Sequence, residues 1–566
     1  MKQTIFSLGL ATALLAACQS TAPSQGNNEA VRDQTTDVDL YTDLPFEMDE
    51  IVVPEFPDYS VNLADFGAVG DGQTLNTDAF AKAIADVSAN GGGRVVIPRG
   101  IWLTGPIVLQ SHINLHTERG AVVMFSPDFD LYPLIETSFE GLSTVRCQSP
   151  LSGRGLENIA LTGDGVFDGS GDAWRPVKKS KLTASHWKQL TSSGGVVNEK
   201  GDIWYPSEKA LRGSQGANMN VPDANDMSEY EAIKDYLRPV MVSLVSCKNV
   251  LLDGPTFQNS PAWCLHPLMC ENLTVRNLTV RNPWYSQNGD GLDVESCKNV
   301  AVYNSSFDVG DDAICIKSGK DEDGRKRGIP TENLIVKNCT VYHGHGGFVV
   351  GSEMSGGVKN VHVTDCTFLG TDVGLRFKST RGRGGVVENI HIANIDMVDI
   401  PAEPILFNLF YGGTARTEED ASGPAQEAAA VPPVTEETPQ FKDIYIKDVV
   451  CRGAGQAVLL KGLPEMNIKN VNLENIRITE AGKGILCSEA DGVTMKNVVI
   501  EPKHGPVLHL ENSRNVQVAG LEYPDGQEAI VQVDGTQTKN ISLQNAGGPE
   551  GLTLGTQVEK AEVKMQ

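Results

Sequence analysis

Helical periodicity is weak along almost all of this 566-residue chain, with Thr77 to Ser88 the exception. Strands must therefore carry the fold. Positive charge is also short, since 47 Lys and Arg stand against 72 Asp and Glu for a net charge of −25. That balance excludes a nucleic-acid binder, and it means that overall charge does not draw in an anionic partner. No CxxC pair and no His/Cys cluster with metal-ligand spacing is present, so no metal and no other cofactor is expected. The apolar run Ile5 to Ala17, which follows Met1-Lys2, is too short to span a bilayer.

What the chain does have is repetition. A unit of an opening residue, an Asn, then alternating apolar and polar positions recurs at Asn249, Asn272, Asn299, Asn333, Asn360 and Asn389, with spacings of 23, 27, 34, 27 and 29 residues. Weaker copies continue at Asp443, Asn470, Asn515 and Asn540. Periods of this size signal a stacked array. Period-two alternation through Asn360–Phe368 makes each unit strand. Two residues before the Asn, the column Cys247, Cys270, Cys297, Thr331, Val358, Val387 suits an inward stack. Five residues after it, Asn277, Asn304, Asn338, Asp365 and Asn394 read as a ladder bonding the turns of neighbouring coils. The expected fold is all-β, a right-handed parallel β-helix with long loop insertions.

Length alone would suggest two to four domains, but a solenoid escapes that limit because each coil contacts only its neighbours. The expected organisation is a signal peptide over 1–17, a flexible tether over 18–55, the β-helix over 56–548, and a tail over 549–566. Irregular insertions fall at about 176–236 and 412–440. Leu15-Ala16-Ala17-Cys18 ends the apolar run and resembles a bacterial lipobox. This resemblance implies a lipidated Cys18 and, with Gln19 next, an outer-membrane lipoprotein held to the membrane by that lipid alone. Ten cysteines remain. Several stack in columns, so buried free thiols are expected rather than a disulfide framework.

Four polar clusters then fall on successive coils: Asn288-Gly289-Asp290, Asp311-Asp312, Gly344-His345-Gly346 and Arg376-Phe377-Lys378. Asp290 and Lys378 each lie 18 residues after their repeat Asn, and Asp311 and His345 each lie 12 after theirs, which places all four on one face. Three coil steps cover about 14 Å, room for two or three sugars. Glycoside hydrolysis needs one protonated carboxyl and one carboxylate that activates water or attacks. Crowding three carboxyls raises at least one pKa, and His345 beside Asp311 can tune that proton. Alternation sends Arg376 and Lys378 to one side and Phe377 to the other, and the two cations suit a substrate carboxylate.

These clusters resemble the polygalacturonase signature of glycoside hydrolase family 28: Asn-Thr-Asp, Asp-Asp, Gly-His-Gly and Arg-Ile-Lys. Asp65–Gly72, Gly91–Gly93 and Gly163–Gly169 fit as well, and the likeness covers roughly Tyr59 to Met397. It implies a monomeric enzyme that cleaves the α-1,4-galacturonosyl bonds of pectin with inversion. Asp311 would be the acid, Asp290 and Asp312 would hold and deprotonate water, and His345 would support the acid. Asn288, Arg376 and Lys378 would bind substrate, with Tyr411 a stacking candidate just past the site coils. Gly289 departs from Thr and Phe377 from Ile. Rival readings are a rhamnogalacturonan hydrolase of the same family, a calcium-dependent pectate lyase, and a non-catalytic glycan-binding β-helix. The insertion over 176–236, with Trp187, Trp204 and Tyr205, precedes the site and could wall off a subsite, which favours exo action.

Overall fold

In the computed structural model, residues 38–218, 220–224, 226–411, 431–527 and 529–565 are described. Thirty-four strands join into one parallel system that winds as a right-handed β-helix. Its register follows the repeat. Val250, Leu273, Val300, Leu334, Val361 and Ile390 pair in sequence, and Ile444, Val471 and Val493 extend the column. Every one of them is buried. Each such side chain taken fully out of water contributes roughly 1.5–3 kcal/mol, so the column is a main source of cohesion.

The repeat Asn residues themselves form a ladder. Asn272 donates to Asn249 at 3.0 Å, Asn299 to Asn272 at 3.2 Å, Asn333 to Asn299 at 3.0 Å, Asn360 to Asn333 at 3.0 Å and Asn389 to Asn360 at 2.8 Å. All sit at φ between 55° and 58°, a left-handed conformation that Asn tolerates better than most residues. The column five residues on forms the expected second ladder, with Asn338 on Asn304 at 2.7 Å and Asn394 on Asp365 at 3.0 Å. Beside the first ladder runs an alternating charge column, Lys248, Glu271, Lys298, Glu332, Lys359, Glu388, in which unlike charges meet at every step. Exposed pairs of this kind contribute little energy each, but a one-coil slip would set like charges together.

The helix Thr77–Ala89 buries Phe80, Ala83, Ile84 and Val87 against the same apolar core near the first coils, where it covers an otherwise open edge. Two departures from the solenoid matter for function. An antiparallel hairpin, Leu134–Phe139 with Leu142–Cys147, stands out from an early coil. The 176–236 insertion folds into a small antiparallel sheet of Val177–Lys178, Val196–Val197 and Ile203–Tyr205, with three short helices. Buried Arg146 ties the two together, donating to Arg238 O at 2.7 Å and Asn220 O at 3.0 Å while lying 3.8 Å from the Phe139 ring.

The region from 549, expected as a tail, adds two more strands. Leu552–Leu554 pairs with Val531–Asp534, and Val563–Met565 with Lys539–Gln544. All ten described cysteines are buried free thiols, as expected. No helix among the described residues is long and apolar enough to cross a membrane. Residues 1–37, including Cys18, and residues 412–430 of the second insertion lie outside the described residues.

Candidate active site

The site strands are Leu292–Glu295, Asp312–Lys317, Gly346–Val350 and Val373–Lys378, stacked in parallel register. Asp312 pairs with Gly346, and Leu292 with Ile314, so Asp290 and Asp312 occupy the same position on adjacent coils. This corrects one inference from spacing. The equal offsets of Asp290 and Lys378 do not mean equal register, because Asp290 precedes its strand and Lys378 ends one. The turn from Asn282 to Gly289 is the longer one and absorbs the difference. Asp311 and His345 do match, with the His345 amide donating to Asp311 O at 3.0 Å.

Six of the eight expected site residues, Asn288, Asp290, Asp311, Asp312, Lys378 and Tyr411, line one pocket of about 230 Å³. His345 and Arg376 join through direct contacts. His345 Nδ1 lies 3.2 Å from Asp311 Oδ1, and its Nε2 lies 3.7 Å from Asp372. Arg376 donates to Asp312 Oδ1 at 3.0 Å and Lys378 to Oδ2 at 2.7 Å. Tyr411 packs under both cations, 5.8 Å from the guanidinium and 4.9 Å from the ammonium. Phe377 points into the core and stacks on Phe407 at 4.4 Å, as the alternation requires.

The three carboxyls differ sharply in setting. Burial raises Asp290 well above the usual range, and Asp293 and Asp311 add to the effect while Lys317 opposes it. Its Oδ1 is buried and makes no hydrogen bond to protein. Burial would also raise Asp312, but Lys378, Arg376 and Lys317 outweigh it and hold that carboxylate well below the usual range. Asp311 is the most exposed of the three, with its side chain 23% accessible, and it accepts from the Asn288 amide at 3.3 Å and the Asp312 amide at 3.1 Å. Its contact with His345 raises the imidazole, whose partial burial works the other way; Asp312 and Asp372 add to the rise. The site thus separates one carboxyl that favours its proton from one that is held ionised.

Glycines make the approach possible. A Cβ on Gly346 would fall 2.4 Å from Val349 Cγ2 and touch Asp312 Oδ1 and Arg376 Cδ at 3.4 Å. A Cβ on Gly289 would fall 1.9 Å from Ser286 Oγ, so Ser286 fills the space that Thr would need.

Sequence reasoning missed the floor and one wall. Beneath the acids, buried Lys317 meets Glu353 at 3.0 Å and Asp293 at 3.5 Å and lies 4.6 Å from the Trp263 ring. At the wall, Glu140 from the hairpin tip accepts from Asn220 at 2.8 Å and from Asn288 at 3.4 Å. Burial and the Glu353 charge push Glu140 up to about 7. Asn288 is itself held by Arg238, which donates to its Oδ1 at 2.9 Å. Trp204 and Tyr205 are buried, and neither they nor Trp187 lines this pocket. The basic run that follows is tied down, since Arg327 pairs with Glu295 at 2.6 Å and Arg325 with Glu437 at 3.4 Å.

Asp290, Asp312 and Cys315 bring donor atoms within 4.8 Å of one another, a spacing that could hold a metal. Arg376 and Lys378 already neutralise Asp312, and a thiol is a poor partner for calcium, which takes six to eight oxygens. This donor set does not suit the lyase reading.

The sequence model described as Glycosyl hydrolases family 28 matches residues 223–447, which contain every site cluster. An exopolygalacturonase structure from Thermotoga maritima is 32% identical, covers 83% of this chain and 94% of its own, and superposes with a TM-score of 0.60. The chain belongs to glycosyl hydrolase family 28. A Vitis vinifera relative named "Probable polygalacturonase" is 28% identical over 77% of this chain and 78% of its own length. The exo-poly-alpha-D-galacturonosidase of Dickeya chrysanthemi is 27% identical over 71% of this chain, which spans 64% of that relative.

Proposed function

We propose that this family 28 protein hydrolyses α-1,4-galacturonosyl bonds of galacturonan, from a chain end and with inversion. The observation that carries the reading is the Asp290–Asp311–Asp312 trio set against Arg376 and Lys378 in a pocket walled by Glu140 and Asn220. Asp311, the exposed member beside His345, gives a proton to the glycosidic oxygen as the bond from C1 to that oxygen breaks. A water between Asp290 and Asp312 attacks C1 from the opposite face, and its proton passes to Asp312, the carboxylate held ionised, while Asp290 helps to hold that water. Arg376 and Lys378 draw the substrate carboxylate against the chain's overall negative charge.

The exo reading rests on the wall. The hairpin tip reaches from an early coil to the loop after the Asp312 strand, where Lys320 N donates to Gly141 O at 3.1 Å. A Cβ on Gly141, at φ 73°, would lie 2.7 Å from that nitrogen, so the tip is pressed onto the loop. We read this tip as the stop that a continuing polymer would meet. The names of the Thermotoga and Dickeya relatives agree with this reading.

The test is a product profile of residues 19–566 on polygalacturonic acid, with an Asp311→Asn control. Saturated monogalacturonate or digalacturonate from the earliest times, absent in the control, is expected. A ladder of saturated oligomers would overturn the exo reading, unsaturated ends would mean a lyase, and no release would overturn the substrate. We also propose that Cys18 is acylated and anchors the enzyme at the outer membrane, on the strength of Leu15-Ala16-Ala17-Cys18 followed by Gln19. Detergent-phase partition that is lost in Cys18→Ser is the expected result, and partition into the aqueous phase by both would overturn it.

A further inference from the structure

We propose that Glu140 reads the free 4-hydroxyl of the terminal sugar, so that a hydrogen bond selects chain ends in addition to the steric wall. The inference rests on the exo-galacturonosidase reading and deepens it.

Glu140 belongs to no recognised cluster and comes from outside the site coils. It sits at the turn of the Leu134–Cys147 hairpin with φ 53°, a left-handed conformation unusual for Glu. The turn is fixed by Arg146 on one side and by the Gly141–Lys320 backbone bond on the other. Glu140 is only 5% exposed, yet its carboxylate lines the pocket. Asn220 and Asn288 orient it by donating to the same oxygen, Oε1. Asn288 also couples it to the chemistry, because its amide donates to Asp311 at 3.3 Å.

The distribution of charge orients a uronic acid here. Lys378 and Lys317 are the cations of the pocket lining, and Glu140 and Glu353 are acids away from the catalytic trio. Glu140 offers acceptor oxygens and no cation, so a hydroxyl of the sugar, not its carboxylate, suits it. About 230 Å³ lies below the roughly 300–1,000 Å³ of drug-sized sites and suits a single ring. C1 of that ring must face Asp311, which puts C4 across the ring, toward the wall. In a terminal unit C4 carries a hydroxyl that can donate. In an interior unit O4 carries the next sugar and has no proton. With a substituted O4 in that place Glu140 gains no bond from the sugar, and sites built to bond a hydroxyl reject analogues that lack it far more strongly than apolar pockets reject a missing methylene.

The experiment compares saturated trigalacturonate with a trimer whose non-reducing unit is 4,5-unsaturated and so lacks the 4-hydroxyl. The wild type is expected to favour the saturated trimer by about 100-fold or more in kcat/KM. Glu140→Ala should lose most of its activity on the saturated trimer and little on the other, bringing the ratio below about five. Glu140→Gln keeps the shape and an acceptor oxygen and should fall between, which separates lost recognition from a displaced hairpin. Wild-type cleavage of both trimers within about five-fold would overturn the role of Glu140 and leave the hydrolase reading standing, as would a ratio unchanged in Glu140→Ala. Cleavage of neither by wild type would overturn the galacturonosidase reading and this inference with it.

Discussion

The coils that carry the site and the coils that follow it share one backbone and differ in what they put on one face. Along one outward column the site coils present Asp293, Cys315, Val349 and Arg376, and the next coils present Leu406, Leu459 and Leu486. Both regions keep an apolar interior at near-zero exposure, and both keep Asn turns in the left-handed region. The later coils show that the fold does not need buried charge on this face. Taking ions out of water costs several kcal/mol each before pairing offsets it. The site coils therefore hold Asp290, Asp293, Asp312, Lys317, Glu353 and Lys378 against a cheaper alternative displayed in the same molecule, and chemistry is the reason.

If that contrast is right, the two regions should fail in different ways. The largest effect is expected at Asp311→Asn, a partly exposed carboxyl, which should lower kcat by about 1,000-fold or more while the thermal midpoint stays within a few degrees. A collapse in melting temperature with residual activity would break the contrast. In the later coils, Leu460→Ala should do the reverse, costing about 2–5 kcal/mol in denaturant melts with kcat unchanged. Lys378→Met should sharpen the contrast inside the site. It removes the strongest attraction holding Asp312 ionised, so the acid limb of the pH–rate profile should move to higher pH, with kcat/KM falling about 10–100-fold.

The smallest expected effect is on stability against pH. Glu140 is raised in the folded state, so it binds more protons folded than unfolded between its ordinary 4.5 and about 7. Its contribution is full below 4.5 and is lost as pH rises through about 7. Asp312 works with the opposite sign, its contribution present above its ordinary 3.8 and lost on acidification. Glu140→Gln should flatten the decline in melting temperature between pH 4.5 and 7, and an unchanged slope would remove Glu140 from the account.

The solenoid was legible because each coil repeats the same local decision. Asn at the turn and alternation after it fix strand, face and neighbour without reference to distant chain. The meeting of Asp311 and His345 was legible for the same reason, since the two keep equal offsets. What could not be read came from segments that break the period. Glu140 lies in a hairpin with no repeat partner, and its role depends on where Arg146 and Lys320 pin it. The Asp290 offset misled because a longer turn preceded its strand. Lys317, Asp293 and Glu353 were hidden differently: they sit at good repeat positions, but nothing in a linear pattern tells a buried charge from a solvated one. The alternating Lys and Glu column was visible in the sequence, and counting one position before each Asn would have found it.

The ten buried thiols give the molecule a ruler along its own axis. They are spread from Cys147 through Cys297 and Cys366 to Cys451 and Cys487, with no disulfide to tie one coil to another. Each is silent to an alkylating reagent until its own coil opens. A brief pulse of reagent during unfolding, read by peptide mass, would therefore record the order in which the solenoid unzips, without a single engineered label.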